Sequence, residues 1–394
     1  MEEILQSIAS SRVAECVVDS LVAWDCRVVF GTAGDANLPF LDALSAQSHR
    51  IEFVALHHAE SAALAASAYA KLTGRIGVCT APAGPGAAQL VNGLADALSD
   101  GAPVLAVTGQ IPTAKIGTHA KQYIDQSVLL NAVTRESRTL ANPQATAELL
   151  VQLLRTAAGQ RTAVHLAVPQ DLWSRPAEGG AAPAPYLFTP AQSTGDVWEA
   201  AGERFAAASR PLIMAGLGAR NAITELVALA ERAGCGIVHS LGLSGLLPGE
   251  HPLNLGGLGE GGSEAAGAAM RAADLVVRLG VNWWPRRFVP ADVVAIDVDA
   301  RPDHVGLGLG QSYGVVADAA SFARFLSLRT GGERNSWRAE VERLAAGRRE
   351  RLAAERSAPG RGIHPGALIA ALARHVPPEA IIALDVGEHV LWFN

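Results

Sequence analysis

Residues 57–86 run His57-His-Ala-Glu-Ser-Ala-Ala-Leu-Ala-Ala-Ser-Ala-Tyr-Ala-Lys-Leu-Thr-Gly-Arg-Ile-Gly-Val-Cys-Thr-Ala-Pro-Ala-Gly-Pro-Gly86, and a change of rhythm inside them decides the fold. The first part is Ala- and Leu-rich with helical period; Ile76-Gly-Val-Cys-Thr80 is a short strand-forming run. The same alternation extends to both sides. Arg27-Val-Val-Phe30, Ile51-Glu-Phe-Val-Ala55, Pro103-Val-Leu-Ala-Val107 and Ala163-Val-His-Leu-Ala-Val168 are further short runs, with helical stretches between them. Short β-branched strands separated by helices belong to a parallel sheet wrapped by helices. The fold class is therefore α/β, with parallel sheets wrapped by helices.

A Pro-, Ala- and Gly-rich segment from Pro176 to Pro190 breaks the rhythm, as a linker or crossing strand does. The alternation resumes with Pro211-Leu-Ile-Met-Ala-Gly216, Gly236-Ile-Val-His-Ser240, Leu275-Val-Val-Arg-Leu-Gly280 and Val293-Val-Ala-Ile-Asp-Val298. The expected divisions are a first domain over 1–178, a linker over 179–192, a second α/β domain over 193–330, a connecting segment over 331–362, and a third domain opening at 363–394. Within the connecting segment, Glu333 to Arg356 is charged and Arg-rich, with Leu and Ala at helical spacing; it reads as a solvated helix. In the last segment His364–Arg374 reads as a helix and Ala380–Asp385 as a buried strand. One strand and one or two helices cannot bury a core, so the third domain is expected to be incomplete and the chain a fragment of a longer protein.

At 394 residues, 49% hydrophobic, the chain has enough apolar material for two or three domains. A net charge of -6 with interleaved signs gives no electrostatic footprint for nucleic acid or an anionic membrane, which favours a small-molecule enzyme. Met1-Glu-Glu-Ile-Leu-Gln6 lacks the basic and apolar regions of a signal peptide, and every apolar run stops short of the ~20 residues of a membrane helix; a cytoplasmic protein is expected. Cys16, Cys26, Cys79 and Cys235 show no C-x-x-C spacing and read as buried thiols without chemistry.

Five stretches carry a resemblance. Phe30-Gly-Thr-Ala-Gly-Asp-Ala-Asn-Leu-Pro-Phe-Leu-Asp-Ala-Leu44 is a strand ending in a Gly-rich turn that opens a helix; residues 57–74 and 77–97 follow, and then Pro103–Pro112 and Lys121-Gln-Tyr-Ile-Asp-Gln126. In this order and spacing they resemble the pyrimidine-binding domain of thiamine-diphosphate enzymes, closest to the acetolactate synthases and pyruvate oxidases. Trp284-Pro-Arg-Arg-Phe288 and Ala295-Ile-Asp-Val-Asp299 look like that family's central domain, and Asp385-Val-Gly-Glu-His-Val-Leu-Trp392 like the opening of its diphosphate-binding domain. The resemblance implies a doubly wound parallel-sheet fold in three α/β domains. It also implies a homodimer or homotetramer holding thiamine diphosphate between the pyrimidine domain of one subunit and the diphosphate domain of another. The implied activity is decarboxylation of a 2-oxo acid such as pyruvate, followed by joining to a second carbonyl or by oxidation.

The resemblance also assigns site residues. Thr32, Gly34, Pro82, Gly84, Gly86 and Asn92 are expected to face the cofactor, and Gly387, Glu388 and His389 to be first contacts of the diphosphate. The family's activating glutamate hydrogen-bonds the aminopyrimidine ring, and counting back from Tyr69-Ala-Lys-Leu-Thr-Gly74 places it at Ala59. A methyl group cannot exchange a proton. Glu60 is the neighbour and the other catalytic candidate: one residue of shift turns a helical side chain by about 100°, so it takes the role only if the loop before the helix slips locally. An engineered variant, a natural member working without the carboxylate as glyoxylate carboligase does, and an inactive relative all remain open. His58 is either a site residue or plain structure at the strand-to-helix junction, and Gln122 resembles the family's glutamine bordering the substrate. Magnesium and its Gly-Asp-Gly and Asn ligands are expected beyond Asn394, so this chain alone is expected to bind cofactor poorly. For FAD, Gly216-Leu-Gly218 and Asp297 suit an adenine dinucleotide, and Trp283 and Trp284 could line a flavin or substrate cleft. An Arg-Gly-Lys pattern of the quinone-linked oxidases is missing around residues 242–252, which favours the acetolactate synthase type. A flavin-linked pyruvate oxidase and a non-catalytic scaffold are the competing functions. A nicotinamide dehydrogenase is disfavoured because G-x-G-x-x-G does not follow the first strand.

Overall fold

The computed structural model describes residues 11–177, 181–182, 192–282, 286–306, 312–331, 334–356, 362–377 and 379–392. The chain divides into two compact units, Met1–Pro190 and Ala191–Asn394.

In the first unit the elements follow as α1 (Val13–Ala23), β1 (Val28–Gly31), α2 (Leu38–Ala46), β2 (Glu52–Ala55), α3 (Ala59–Thr73), β3 (Gly77–Ala81), α4 (Pro85–Gln89), α5 (Val91–Asp100), β4 (Val104–Gln110), α6 (Gln126–Leu130), β5 (Glu136–Thr139), α7 (Thr146–Gln160) and β6 (Ala163–Pro169). The strands form one parallel sheet in the order β2-β1-β3-β4-β6-β5. On one face α1, α2 and α7 supply Val17, Leu21, Phe40, Leu150, Leu154 and neighbours to a core around Trp173, whose ring stacks on Phe40. On the other face α3 buries Ala59, Ala62, Ala63, Ala66 and Ala70. That spacing of i, i+3, i+4 and i+7 makes one helical stripe, and its small side chains let backbones approach closely. Gly77 on β3 has no room for a Cβ, which would strike the Ala66 carbonyl.

The second unit contains α8 (Gly195–Ala207), β7 (Pro211–Ala215), α9 (Ile223–Ala233), β8 (Gly236–His239), β9 (Asn254–Gly257), α10 (Glu264–Ala272), β10 (Leu275–Leu279), β11 (Val294–Asp299), β12 (Ser312–Val316), α11 (Ala319–Ser327), α12 (Asn335–Glu355), α13 (Pro365–His375) and α14 (Glu388–Leu391). Its parallel sheet has the order β12-β11-β10-β7-β8-β9. Both sheets thus bear out the α/β, doubly wound expectation.

Two details differ from the sequence reading. α12 is not merely solvated: Trp337, Val341 and Ala345, spaced four apart, enter the core of the second unit, and the Trp337 indole N–H donates to Pro211 O at 2.8 Å. Just before it, the Arg334 guanidinium donates to Phe205 O, Ala208 O and Ala233 O, tying off carbonyls at the ends of α8 and α9. The expected strand at Ala380–Asp385 does not form; the segment has no regular structure and is exposed and unpaired. A strand is stable only with a ladder partner, and none lies beside it among the described residues. All four cysteines are buried and none is in a disulfide among the described residues, and burial pushes the Cys26, Cys79 and Cys235 thiols up to about 12 and Cys16 to about 11. No described helix is long and apolar enough to cross a membrane.

Candidate functional site

In the first sheet β1 leads to β2 on one side while β3 and β4 continue on the other, so the order reverses between β1 and β3. Crossover connections diverge at such a point and leave a crevice at the carboxyl ends of the strands, where open α/β sheets bind ligands. The expected cofactor residues cluster there. Gly31 pairs with Thr80 at the end of the ladder, and Thr32 N donates to Thr80 O at 3.2 Å. Pro82 packs between the two turns, since a Cβ at Gly34 would lie 2.6 Å from Pro82 Cβ and one at Gly86 2.7 Å from Pro82 Cγ. Gly84 has φ +68°, the left-handed region where a side chain is strained, and a Cβ there would strike the Gln122 carbonyl. Gln122 itself has φ +67° and an exposed side chain. Thr32, Gly34, Pro82, Gly84, Gly86 and Gln122 therefore meet at one end of one sheet.

Asn37, which the sequence reading passed over, ties the turn together. Fully buried, it accepts from Gly34 N at 2.9 Å and donates to Thr32 O at 3.0 Å and Thr80 Oγ1 at 3.1 Å. A polar residue at a position that the helical pattern would fill with an apolar one was the available signal.

Ala59 is the first residue of α3, 1% exposed, packed among Ala62, Ala81 and Leu90. Glu60 points away from that stripe. Its Oε1 accepts from Asn92 Nδ2 at 2.5 Å and its Oε2 lies 3.7 Å from His58 Nδ1. His58, Glu60 and Asn92 thus form an exposed polar group joining the starts of α3 and α5. Gly387, Glu388 and His389 lie in the second unit, exposed, at the start of α14.

The second sheet reverses between β7 and β10, where Gly216-Leu-Gly218 follows β7. The glycines are accounted for by backbone packing: a Cβ at Gly216 would lie 2.7 Å from Val281 Cα, and one at Gly218 2.8 Å from Gly280 Cα. Asp297, 1% exposed, accepts from Arg278 Nη1 at 2.7 Å and from Gly306 N at 2.8 Å, and Arg278 Nη2 donates to Val281 O at 2.7 Å. The carboxylate expected to suit an adenine dinucleotide is committed to a buried ion pair. Trp283 and Trp284 lie outside the described residues. Among the described residues no group of three or more His, Cys, Asp or Glu is placed to hold a metal.

Residues 11–129 match the model of the thiamine pyrophosphate enzyme N-terminal TPP-binding domain, and residues 198–326 match that of the same enzymes' central domain. The chain belongs to the thiamine pyrophosphate enzyme family. Among individual relatives, it is 32% identical over 98% of its length to the thiamine pyrophosphate-containing protein YdaP of Bacillus subtilis, of which it covers 68%. It is 31% identical over 96% of its length to acetolactate synthase isozyme 1 large subunit of Escherichia coli, covering 68% of that protein. To pyruvate oxidase of Lactiplantibacillus plantarum it is 30% identical over 94% of its length, covering 63%. The chain spans about two thirds of the length of these relatives.

Proposed function

We propose that the chain forms the pyrimidine-binding and central domains of a thiamine-diphosphate-dependent transferase or lyase of the acetolactate synthase type, acting on a pyruvate-like 2-oxo acid. The observation that carries this reading is the crevice at the reversal of the first sheet, where a left-handed Gly84 brings backbone against Gln122 and leaves no side chain in the way. Backbone groups brought together in this way would suit a flat ring laid against them. Thr32, Gly34, Pro82, Gly84 and Gly86 would hold the cofactor, and Gln122 would border the substrate. His58, Glu60 and Asn92 form the polar margin. When bound, thiamine diphosphate supplies the nucleophilic carbon and the electron sink for decarboxylation. Its diphosphate and magnesium are assigned to the domain that residues 363–394 open, with Gly387, Glu388 and His389 as first contacts. Subunits would pair as a homodimer or homotetramer to complete the site.

The proton-transfer position does not fit an ordinary member. Ala59 offers no proton and no acceptor, and Glu60 Oε1 is already engaged by Asn92. This supports a second reading, a homologue that binds without catalysing or works without the carboxylate. We assign no flavin: the Rossmann-like order of the second sheet would accept a dinucleotide, but Asp297 is committed to Arg278. Ala59→Glu tests the choice. In the intact protein with thiamine diphosphate, magnesium and pyruvate, carbon dioxide release should rise by about 10²–10⁴-fold, the usual worth of a general acid or base. Equal rates in the two forms would remove the proton-transfer argument.

A further inference from the structure

The segment 111–125, between β4 and α6, carries Gln122 and is held at both ends by glutamines. At its start Gln110 donates from Nε2 to Ile124 O at 3.0 Å while its Oε1 accepts from Ile111 N at 2.8 Å. At its end Gln126, 1% exposed, reaches back into the sheet. Its Nε2 donates to Gly109 O at 3.0 Å and its Oε1 accepts from Thr108 Oγ1 at 2.5 Å. Behind Thr108 stands His165 on β6, fully buried, with Nε2 at 2.8 Å from Thr108 Oγ1 and Nδ1 at 2.7 Å from Ser137 Oγ on β5.

The proton positions in this chain of groups follow from one fixed point. Gly109 O is a carbonyl and can only accept, so the Gln126 amide must present its nitrogen there and its oxygen to Thr108. Thr108 then spends its only proton on Gln126 and can only accept from His165. His165 must therefore carry its proton on Nε2, which leaves Nδ1 bare to accept the Ser137 hydroxyl. Every member has a partner, as a buried polar network requires.

We propose that His165, held as the Nε2–H tautomer, is a positioning residue that acts through Thr108 and Gln126 to hold the segment bearing Gln122 against Gly84. The inference rests on the proposed function only in taking Gln122 to be a site residue; the geometry it invokes does not. Burial pushes the imidazole down to about 3, so the ring stays neutral and the hydrogen-bond direction stays fixed across the neutral pH range. The direction of each bond makes the network intolerant of a partial replacement. Serine at 108 retains the hydroxyl, whereas valine leaves His165 Nε2–H and Gln126 Oε1 both unpaired.

The test uses the protein with 15N-labelled histidine and needs no substrate. Long-range proton–nitrogen correlation of His165 should show the proton on Nε2, unchanged from pH 5.5 to 8; a proton on Nδ1 overturns the proposal. Amide hydrogen exchange of Thr108→Val should then show residues 120–124 exchanging on the order of tenfold faster, the amount set by losing one buried hydrogen bond, with β4 and β6 still protected. Thr108→Ser should restore the wild-type rate. Should Thr108→Val fail to fold, Gln126→Met supplies the same comparison, since it severs the last link alone. Wild-type exchange at 120–124 in the severed variant, or no rescue by serine, overturns the proposal. Failure of the functional reading would show separately, as absent 2-oxo acid turnover with the tautomer and the exchange pattern intact.

Discussion

Gly84→Ala gives the sharpest test of how the crevice is built. At φ +68° and ψ −112°, outside the αL well, an alanine pays a backbone penalty of about 1–3 kcal/mol. Its methyl would also strike Gln122 O and lie 3.0 Å from Gln122 C, which forces the loop outward at a typical overpacking cost of about 1–3 kcal/mol. Together these amount to about 2–6 kcal/mol. For a unit of roughly 200 residues each kcal/mol lowers the melting temperature by ~2–4 °C. A drop of at least ~4 °C is expected by circular dichroism. Gly117→Ala separates the two terms, because Gly117 also has positive φ, +82°, but nothing lies within 4 Å of the added methyl. The Gly84 variant should melt below the Gly117 variant, and hydrogen exchange should rise at Gln122 in the former only. If both variants melt together, the contact between Gly84 and Gln122 contributes nothing and the picture of a backbone cradle closed by that loop is wrong.

Arg278→Met strands the Asp297 carboxylate in the interior and should destabilise the second unit by about 3–5 kcal/mol in urea unfolding, with recovery in the Arg278→Met, Asp297→Leu double variant. Equal midpoints for wild type and single variant would show the pair to be inessential. His165 links stability to pH: its folded-state value near 3 lies below the unfolded 6.5, so the unfolded chain binds the extra proton between these values. Its contribution is full above pH 6.5 and is lost as pH falls toward 3. Between pH 6.5 and 5 the wild type should lose about 1.5 kcal/mol more than His165→Gln; parallel losses would mean the ring titrates normally. Asn37→Leu keeps the volume but removes three hydrogen bonds at the turn after β1, and should cost about 2–4 kcal/mol by thermal or urea unfolding. A loss under about 0.5 kcal/mol would rule out the tie that Asn37 makes.

The parts of the fold that the sequence shows are its central strands. β3, β4, β6, β7 and β10 are buried along their whole length, so their residues read as continuous apolar runs. The strands that escaped notice are β5, β9 and β12, which are sheet edges. Glu136-Ser-Arg-Thr139 carries no apolar run because an edge does not demand one, and polar residues there discourage further pairing; Asn254-Leu-Gly-Gly257 is buried, but its Asn and two glycines do not read as a strand. α12 was read as solvated because only Trp337, Val341 and Ala345 face inward among many charges. The opposite error, at Ala380–Asp385, has the same root: a strand-like composition becomes a strand only beside a partner. At the site, glycines and prolines announced the turns, but Asn37, Thr108, Gln126 and His165 stayed silent. Their roles depend on which groups meet across 17 to 57 residues of chain, and no local pattern reports that.

Hydrogen exchange of the intact protein, with and without excess thiamine diphosphate and magnesium, reaches the central claim most directly. Protection should appear at residues 32–34, 82–86 and 120–123, the segments that meet where the first sheet reverses. Unchanged exchange in all three, or protection confined to the turns after β7 and β10, would contradict it.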